Sequence, residues 1–144
     1  MTKTTPDVGQ YVNKLHNKIR RELDVSATRN HINGAQARTL IYILVESQRR
    51  DLFQKDIEDK YSIRPSTASA LLKKMTTAGF ITREPLPSDN RLKRIVPTAA
   101  GRAVQPGVVA DIAQLEAKLT ADIAADDLET FFVVMAKMLT NLDR

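Results

Sequence analysis

Pro65-Ser66-Thr67-Ala68-Ser69-Ala70-Leu71-Leu72-Lys73-Lys74-Met75-Thr76-Thr77-Ala78-Gly79-Phe80-Ile81-Thr82-Arg83 is the stretch on which the fold turns. It predicts a helix over 65–78, because proline suits a first helical position and Gly79 can adopt the left-handed conformation that closes a helix. On a wheel of about 100° per residue with Ala68 at the origin, Leu71, Leu72 and Met75 fall within about 60° of it, making one apolar face. Ser66, Ala70, Lys73 and Thr77 lie opposite, flanked by Thr67, Ser69 and Lys74. Short hydroxyl side chains permit close approach and hydrogen bonding at base edges, and lysines bind phosphates, so this face suits a major groove. Taken alone, it equally suits an ordinary solvated amphipathic helix.

Working outward, Phe80 to Glu84 reads as a strand, Pro85 to Asn90 as a turn-rich loop, and Lys93-Arg94-Ile95-Val96 as a second strand. Arg91, Lys93 and Arg94 put cations at or beside the loop, where a hairpin tip can reach a narrow minor groove. Asp89 is the acid available to pair with Arg91; a solvated turn with a weak surface ion pair is the plainer alternative. On the N-terminal side, Gln54 to Lys60 reads as a brief helix, with Leu52-Phe53 as a stub of strand before it. Helix, helix, hairpin is the order of a winged helix-turn-helix.

The outer segments are helical too. Thr5-Pro6-Asp7 predicts a helix start, and Val8, Tyr11, Val12, Leu15, Ile19 and Leu23 recur at helical spacing, giving a helix over 6–25. A helix over 34–48 carries Leu40, Ile41, Ile43, Leu44 and Val45, too broad an apolar cluster for a surface stripe. Thr98 caps a long helix, with a kink or break expected at Pro106-Gly107. A last helix over 126–142 bears Leu128, Phe131, Phe132, Met135, Leu139 and Leu142. A small central module does not obviously cover both terminal stripes, and bare Phe131 and Phe132 would form an adhesive patch. A second copy of the chain resolves this; packing within one subunit is the alternative.

Composition agrees. The 144 residues fit one domain, and aromatics at 5% of a chain that is 42% hydrophobic favour a mainly α fold. The formal charge is only +5, but its distribution matters. Residues 64–102 hold eight bases against Glu84 and Asp89, whereas residues 104–144 hold three bases against seven acids. Segregation of this kind is expected if the basic stretch faces a polyanion. With no cysteine, disulfides, zinc ribbons and thiol chemistry are excluded, and a reducing cytoplasm is the expected location. No leader-like or membrane-length apolar run is present. His16 and His31 stand in no metal or nucleophile-base spacing, Glu58-Asp59 and Asp126-Asp127 diverge on helices, and no Gly-rich phosphate loop occurs. No enzyme, metal or cofactor is expected.

The ordered set Gln54-Lys55-Asp56-Ile57, Ser66-Thr67-Ala68-Ser69, Leu71-Leu72-Lys73-Lys74-Met75, Gly79-Phe80-Ile81-Thr82-Arg83, Asp89-Asn90-Arg91 and Thr98-Ala99-Ala100-Gly101 resembles the MarR family of bacterial regulators. Met75 stands where that family often has Leu, a tolerable core exchange. The resemblance implies a mainly α fold with a winged helix-turn-helix over 34–102, flanked by dimerisation helices over 6–25 and 104–143. It implies a homodimeric repressor on double-stranded DNA with a pseudo-palindromic operator. Arg64, Ser66, Thr67, Ser69, Lys73, Lys74, Asp89, Arg91, Lys93 and Arg94 are the DNA-binding candidates. The dimer candidates are Val8, Tyr11, Val12, Leu15 and Ile19 with the six apolar residues of the last helix. Members of that family often respond to small lipophilic or phenolic effectors, for which Tyr11, Leu15, His16 and Leu44 are the candidates. A winged-helix protein-interaction module, or an architectural DNA binder without sequence preference, is the competing function.

Overall fold

The computed structural model describes residues 5–30 and 32–143, with residues 26–30 described by their backbone alone. The chain runs α1 (Val8–Asn30), α2 (Gly34–Glu46), α3 (Gln54–Tyr61), α4 (Pro65–Thr77), β1 (Ile81–Leu86), β2 (Asp89–Pro97), α5 (Ala99–Leu119) and α6 (Ala125–Leu142). It is the mainly helical, winged helix architecture that the sequence predicts, with one two-stranded antiparallel hairpin as the wing. The chain divides into two compact units, Met1–Ile112 and Ala113–Arg144, and α5 passes from the first into the second.

The core of the first unit is aliphatic. Leu40 and Ile43 of α2, Leu52, Ile57 of α3, Leu72 and Met75 of α4, Ile81 of β1 and Ile95 of β2 are all fully buried. Each such side chain contributes about 1.5–3 kcal/mol through removal of apolar surface from water. On α4, Ala68, Leu72 and Met75 face inward and Leu71 is half-buried, as its periodicity predicts. The helix-turn-helix turn rests on Ser62, whose left-handed backbone (φ 51°) ends α3 and lets the Ile63 N–H donate to Glu58 O at 3.1 Å. Pro65 then opens α4.

Several boundaries differ from the sequence reading. Helix α1 begins at Val8, not near Pro6, because the Asp7 carboxylate accepts from the Gln10 N–H at 2.8 Å and so acts as the cap in place of Thr5. It continues to Asn30, there being no glycine or proline between Gln10 and Asn30 to stop it. The second helix ends at Glu46, where the Ser47 N–H closes onto Ile43 O. Leu52-Phe53 is no strand; its contribution to the sheet is one bond, from Ile95 N–H to Leu52 O at 2.8 Å. Helix α5 is not broken at Pro106-Gly107.

The largest difference lies in the wing. Residues 85–90 are expected as a loop, yet β1 continues through Pro85 to Leu86 and β2 starts at Asp89. In a two-stranded hairpin both strands are edges, so the missing N–H of Pro85 need not break a ladder. Register is regular from Ile81↔Pro97 to Pro85↔Lys93 and then shifts to Leu86↔Asp89. Asn90, Arg91 and Leu92 consequently bulge from the longer strand.

In the second unit, Asp122 adopts a left-handed conformation (φ 61°) between the end of α5 and α6. Asp126 and Asp127 occupy the first turn of α6, the favourable end of its dipole for carboxylates.

Candidate nucleic-acid interface

The junction between α4 and the wing follows from local chemistry. The Gly79 N–H donates to Thr76 O at 3.0 Å and the Phe80 N–H to Met75 O at 3.1 Å, a Schellman closure that needs the left-handed Gly79 (φ 85°). Phe80 is thereby turned into the core and Ile81 starts the hairpin. At the far end the chain returns to the same place. The Thr98 N–H donates to Phe80 O at 3.0 Å, its hydroxyl donates to Gly79 O at 2.6 Å, and that hydroxyl oxygen accepts from the Gly101 N–H at 3.1 Å, capping α5. Gly101 lies so close to the Phe80 carbonyl that a Cβ there would collide with backbone.

On α4, Ser66, Thr67, Ser69, Lys73 and Lys74 are all exposed, and Arg64 precedes them, also exposed, at the N-cap position. The helix therefore presents hydroxyls over its first turns and lysines further along. Ser66 and Thr67 also border an open groove of about 560 Å³ shared with Tyr61 and Ile63.

In the wing, Arg91 lies within the bulge with its side chain 92% exposed. Asp89 Oδ1 accepts from the Arg91 N–H at 2.9 Å and from its Nε–H at 3.4 Å, so the predicted partnership holds and fixes the local backbone. Lys93 is exposed. Arg94 is placed differently: its guanidinium donates to Glu84 Oε2 at 3.0 Å and to Asp51 Oδ1 at 3.4 Å. Glu84 and Asp51 hold the Arg94 pKa above its ordinary value. The sequence reading assigns neither acid to Arg94: Glu84 faces it only once the hairpin register is known, and Asp51 lies 43 residues away, so only the fold brings it near. A second missed cluster holds the turn before α3, where Arg50 donates to Asp56 Oδ1 at 2.9 Å and to the Tyr42 hydroxyl at 3.1 Å. Asp56 Oδ2 accepts from the Phe53 N–H at 2.9 Å, capping α3.

The dimer candidates lie on two helices. On α1, Val8, Tyr11, Val12 and Leu15 are exposed and Ile19 is half-buried. On α6 no described residue is buried: Phe131, Phe132, Leu139 and Leu142 are exposed, while Leu128 and Met135 are half-buried. The Phe131 and Phe132 rings meet edge to face at 5.4 Å.

The effector candidates are not gathered in one place. His16 borders a depression of about 510 Å³ with Ile19, Leu23 and Arg38, between α1 and α2. Leu44 is a buried core residue whose edge borders a separate depression with Arg94 and Arg102. Tyr11 and Leu15 line neither. His31 lies outside the described residues. Among the described residues, no group of three His, Asp or Glu side chains is poised to hold a metal ion, and no helix is long and apolar enough to cross a membrane.

Residues 32–92 match the sequence model of the MarR family. No curated protein matches the sequence significantly. Among solved structures, the chain is similar to the S. aureus MepR–DNA complex at 21% identity, covering 95% of this chain and 99% of that one with a TM-score of 0.87. It is similar to a mutant MarR from E. coli complexed with operator DNA, at 22% identity, covering 92% and 93% with a TM-score of 0.80. The transcription regulator MarR from Oenococcus oeni PSU-1 aligns at 19% identity, covering 93% and 99% with a TM-score of 0.79. Segment 32–92 is thus similar to the MarR family, and the chain's fold, along nearly its whole length, is that of the solved MarR and MepR structures.

Proposed function

We propose that the protein is a sequence-specific, homodimeric repressor that reads duplex DNA with α4 and grips it with the wing. The observation that carries this is the exposed face of α4, where Ser66, Thr67 and Ser69 stand at the N-terminal end and Lys73 and Lys74 behind them. In helix-turn-helix docking the N-terminal end of the second helix meets the base edges. The hydroxyls are therefore assigned to base reading and Arg64, Lys73 and Lys74 to phosphates. Arg91 and Lys93, exposed in the wing, are assigned to the neighbouring minor groove and its phosphates. Asp89 orients Arg91 through the two hydrogen bonds described above. The similar MepR and E. coli MarR structures hold DNA, which favours this reading over a protein-interaction module.

The DNA-binding lobe spans 34–102. The exposed apolar faces of α1 and α6 are assigned to the dimer, in segments 6–25 and 104–143. Burying Phe131, Phe132, Leu139 and Leu142 against a second copy removes a patch that would otherwise promote aggregation. A small lipophilic or phenolic effector releases the DNA, and the depression between α1 and α2 beside His16 is its place in this scheme. Purified protein offered a pool of random duplexes tests the proposal: it should retain one family of related sequences, whereas an architectural binder retains the pool without selection.

A further inference from the structure

Arg94 of β2 stands opposite Glu84 of β1 in the hairpin register and donates to it at 3.0 Å. The same guanidinium reaches Asp51, in the segment between α2 and α3, at 3.4 Å. One residue further, the Ile95 N–H donates to Leu52 O at 2.8 Å. Two consecutive residues of β2 are thus fastened to two consecutive residues of the body. Beyond this double attachment, among the described residues, no hydrogen bond or ion pair links the tip 85–93 to anything outside the hairpin.

We propose that Arg94 is a positioning residue: it clips the wing to Asp51 and Glu84 and so sets the direction in which Arg91 is presented, without itself binding DNA. This rests on the DNA-binding reading above, and it replaces the assignment of Arg94 as a DNA contact. The charge balance supports it. Arg94 with its two carboxylates carries one net negative charge, which repels a phosphate, whereas Arg91 has a single acidic partner and is almost wholly exposed. The three groups are each about half exposed, so the ion pairs themselves add little to folding stability. What they supply is direction at the last point where the arm touches the body.

Asp51→Asn distinguishes the clip from simple electrostatics, because the two predict opposite signs. Removing an acid near a DNA-binding surface raises affinity if the acid acts only through space. Loss of the clip instead weakens binding to the selected duplex by about three- to tenfold. Asp51→Glu, which keeps the charge, should restore affinity to within about twofold. Arg91→Ala should cost less affinity in the Asp51→Asn background than in the wild type, since a misaimed wing no longer delivers that arginine. In the free protein, hydrogen exchange at the hairpin amides, Ile95 included, should quicken in Asp51→Asn while the melting temperature hardly moves. Equal or tighter binding by Asp51→Asn overturns the proposal, with or without faster exchange. So does strict additivity with Arg91→Ala. If the wild type retains no duplex at all, the DNA reading fails on its own, and unchanged exchange in Asp51→Asn then shows that no clip exists.

Discussion

The hydroxyl of Thr98 donates to the carbonyl oxygen of Gly79 at 2.6 Å, joining the residue that closes α4 to the residue that caps α5. The bond closes the base of the wing: the hairpin leaves the body after Gly79 and returns to it at Thr98. Gly101 completes the joint by allowing the first turn of α5 to lie against the Phe80 carbonyl. Glycine, threonine and glycine at 79, 98 and 101 are therefore one structural unit, although they are spread over more than twenty residues.

Gly101→Ala should destabilise the protein by about 1–3 kcal/mol, because the added methyl meets backbone that cannot move aside cheaply. Thr98→Val should cost about 1–2 kcal/mol, through loss of the α5 cap and an unpaired Gly79 carbonyl. Urea unfolding of both variants checks this, and unchanged midpoints would mean that the joint is not a stabilising element.

Asp56 provides a pH-dependent term. Burial raises its pKa, but the Phe53 N–H and the Arg50 guanidinium outweigh this and leave the group below its ordinary value. A depressed folded pKa contributes stability above the unfolded value of about 3.9 and loses it as pH falls through the lower folded value. Asp56→Ala should therefore cost about 0.5–2 kcal/mol at neutral pH. The difference from wild type should shrink below about pH 4. A gap that widens on acidification in urea titrations contradicts the assignment.

Phe131→Asp combined with Leu139→Asp places two charges in the apolar face of α6. Light scattering at micromolar concentration should show a dimer for the wild type and loss of that dimer for the variant, with DNA affinity falling in parallel. A wild-type monomer that binds DNA tightly would remove the dimer from the account.

Thr67→Ala and Arg91→Ala should fail in different ways. The major groove distinguishes all base pairs, so Thr67→Ala should change preference at particular half-site positions by about 1–3 kcal/mol. The minor groove distinguishes little beyond A·T from G·C. Arg91→Ala should therefore weaken all sequences alike and reduce the salt slope by about one unit. Affinities measured over single-base operator changes at two salt concentrations separate them. An Arg91→Ala protein with a wild-type profile would show that the bulged wing points away from DNA.

What the sequence reveals is what local chemistry decides. The α4 stripe of Ala68, Leu72 and Met75, the stop at Gly79 and the cap at Thr98 each follow from neighbours a few residues apart. The wing is harder to read, because Pro85 signals a turn until one knows that its strand is an edge. Asp51 carries no signal as a partner of Arg94, since an ion pair across 43 residues exists only once the chain is folded, and Glu84 becomes its partner only through the hairpin register. The four effector candidates share helical spacing or apolar character, but the fold sends Leu44 into the core and leaves Tyr11 and Leu15 on the outer face of α1.

Selection from random duplex DNA, followed by a salt titration on the winning sequence, tests the central claim most directly. A symmetric dimer reading with α4 should enrich an imperfect palindrome with half-sites about 10 base pairs apart. Its affinity for that palindrome should fall steeply between about 50 and 200 mM salt, as released counterions cease to favour binding. Retention of unrelated sequences, or an affinity indifferent to salt, would contradict a sequence-specific winged helix reader.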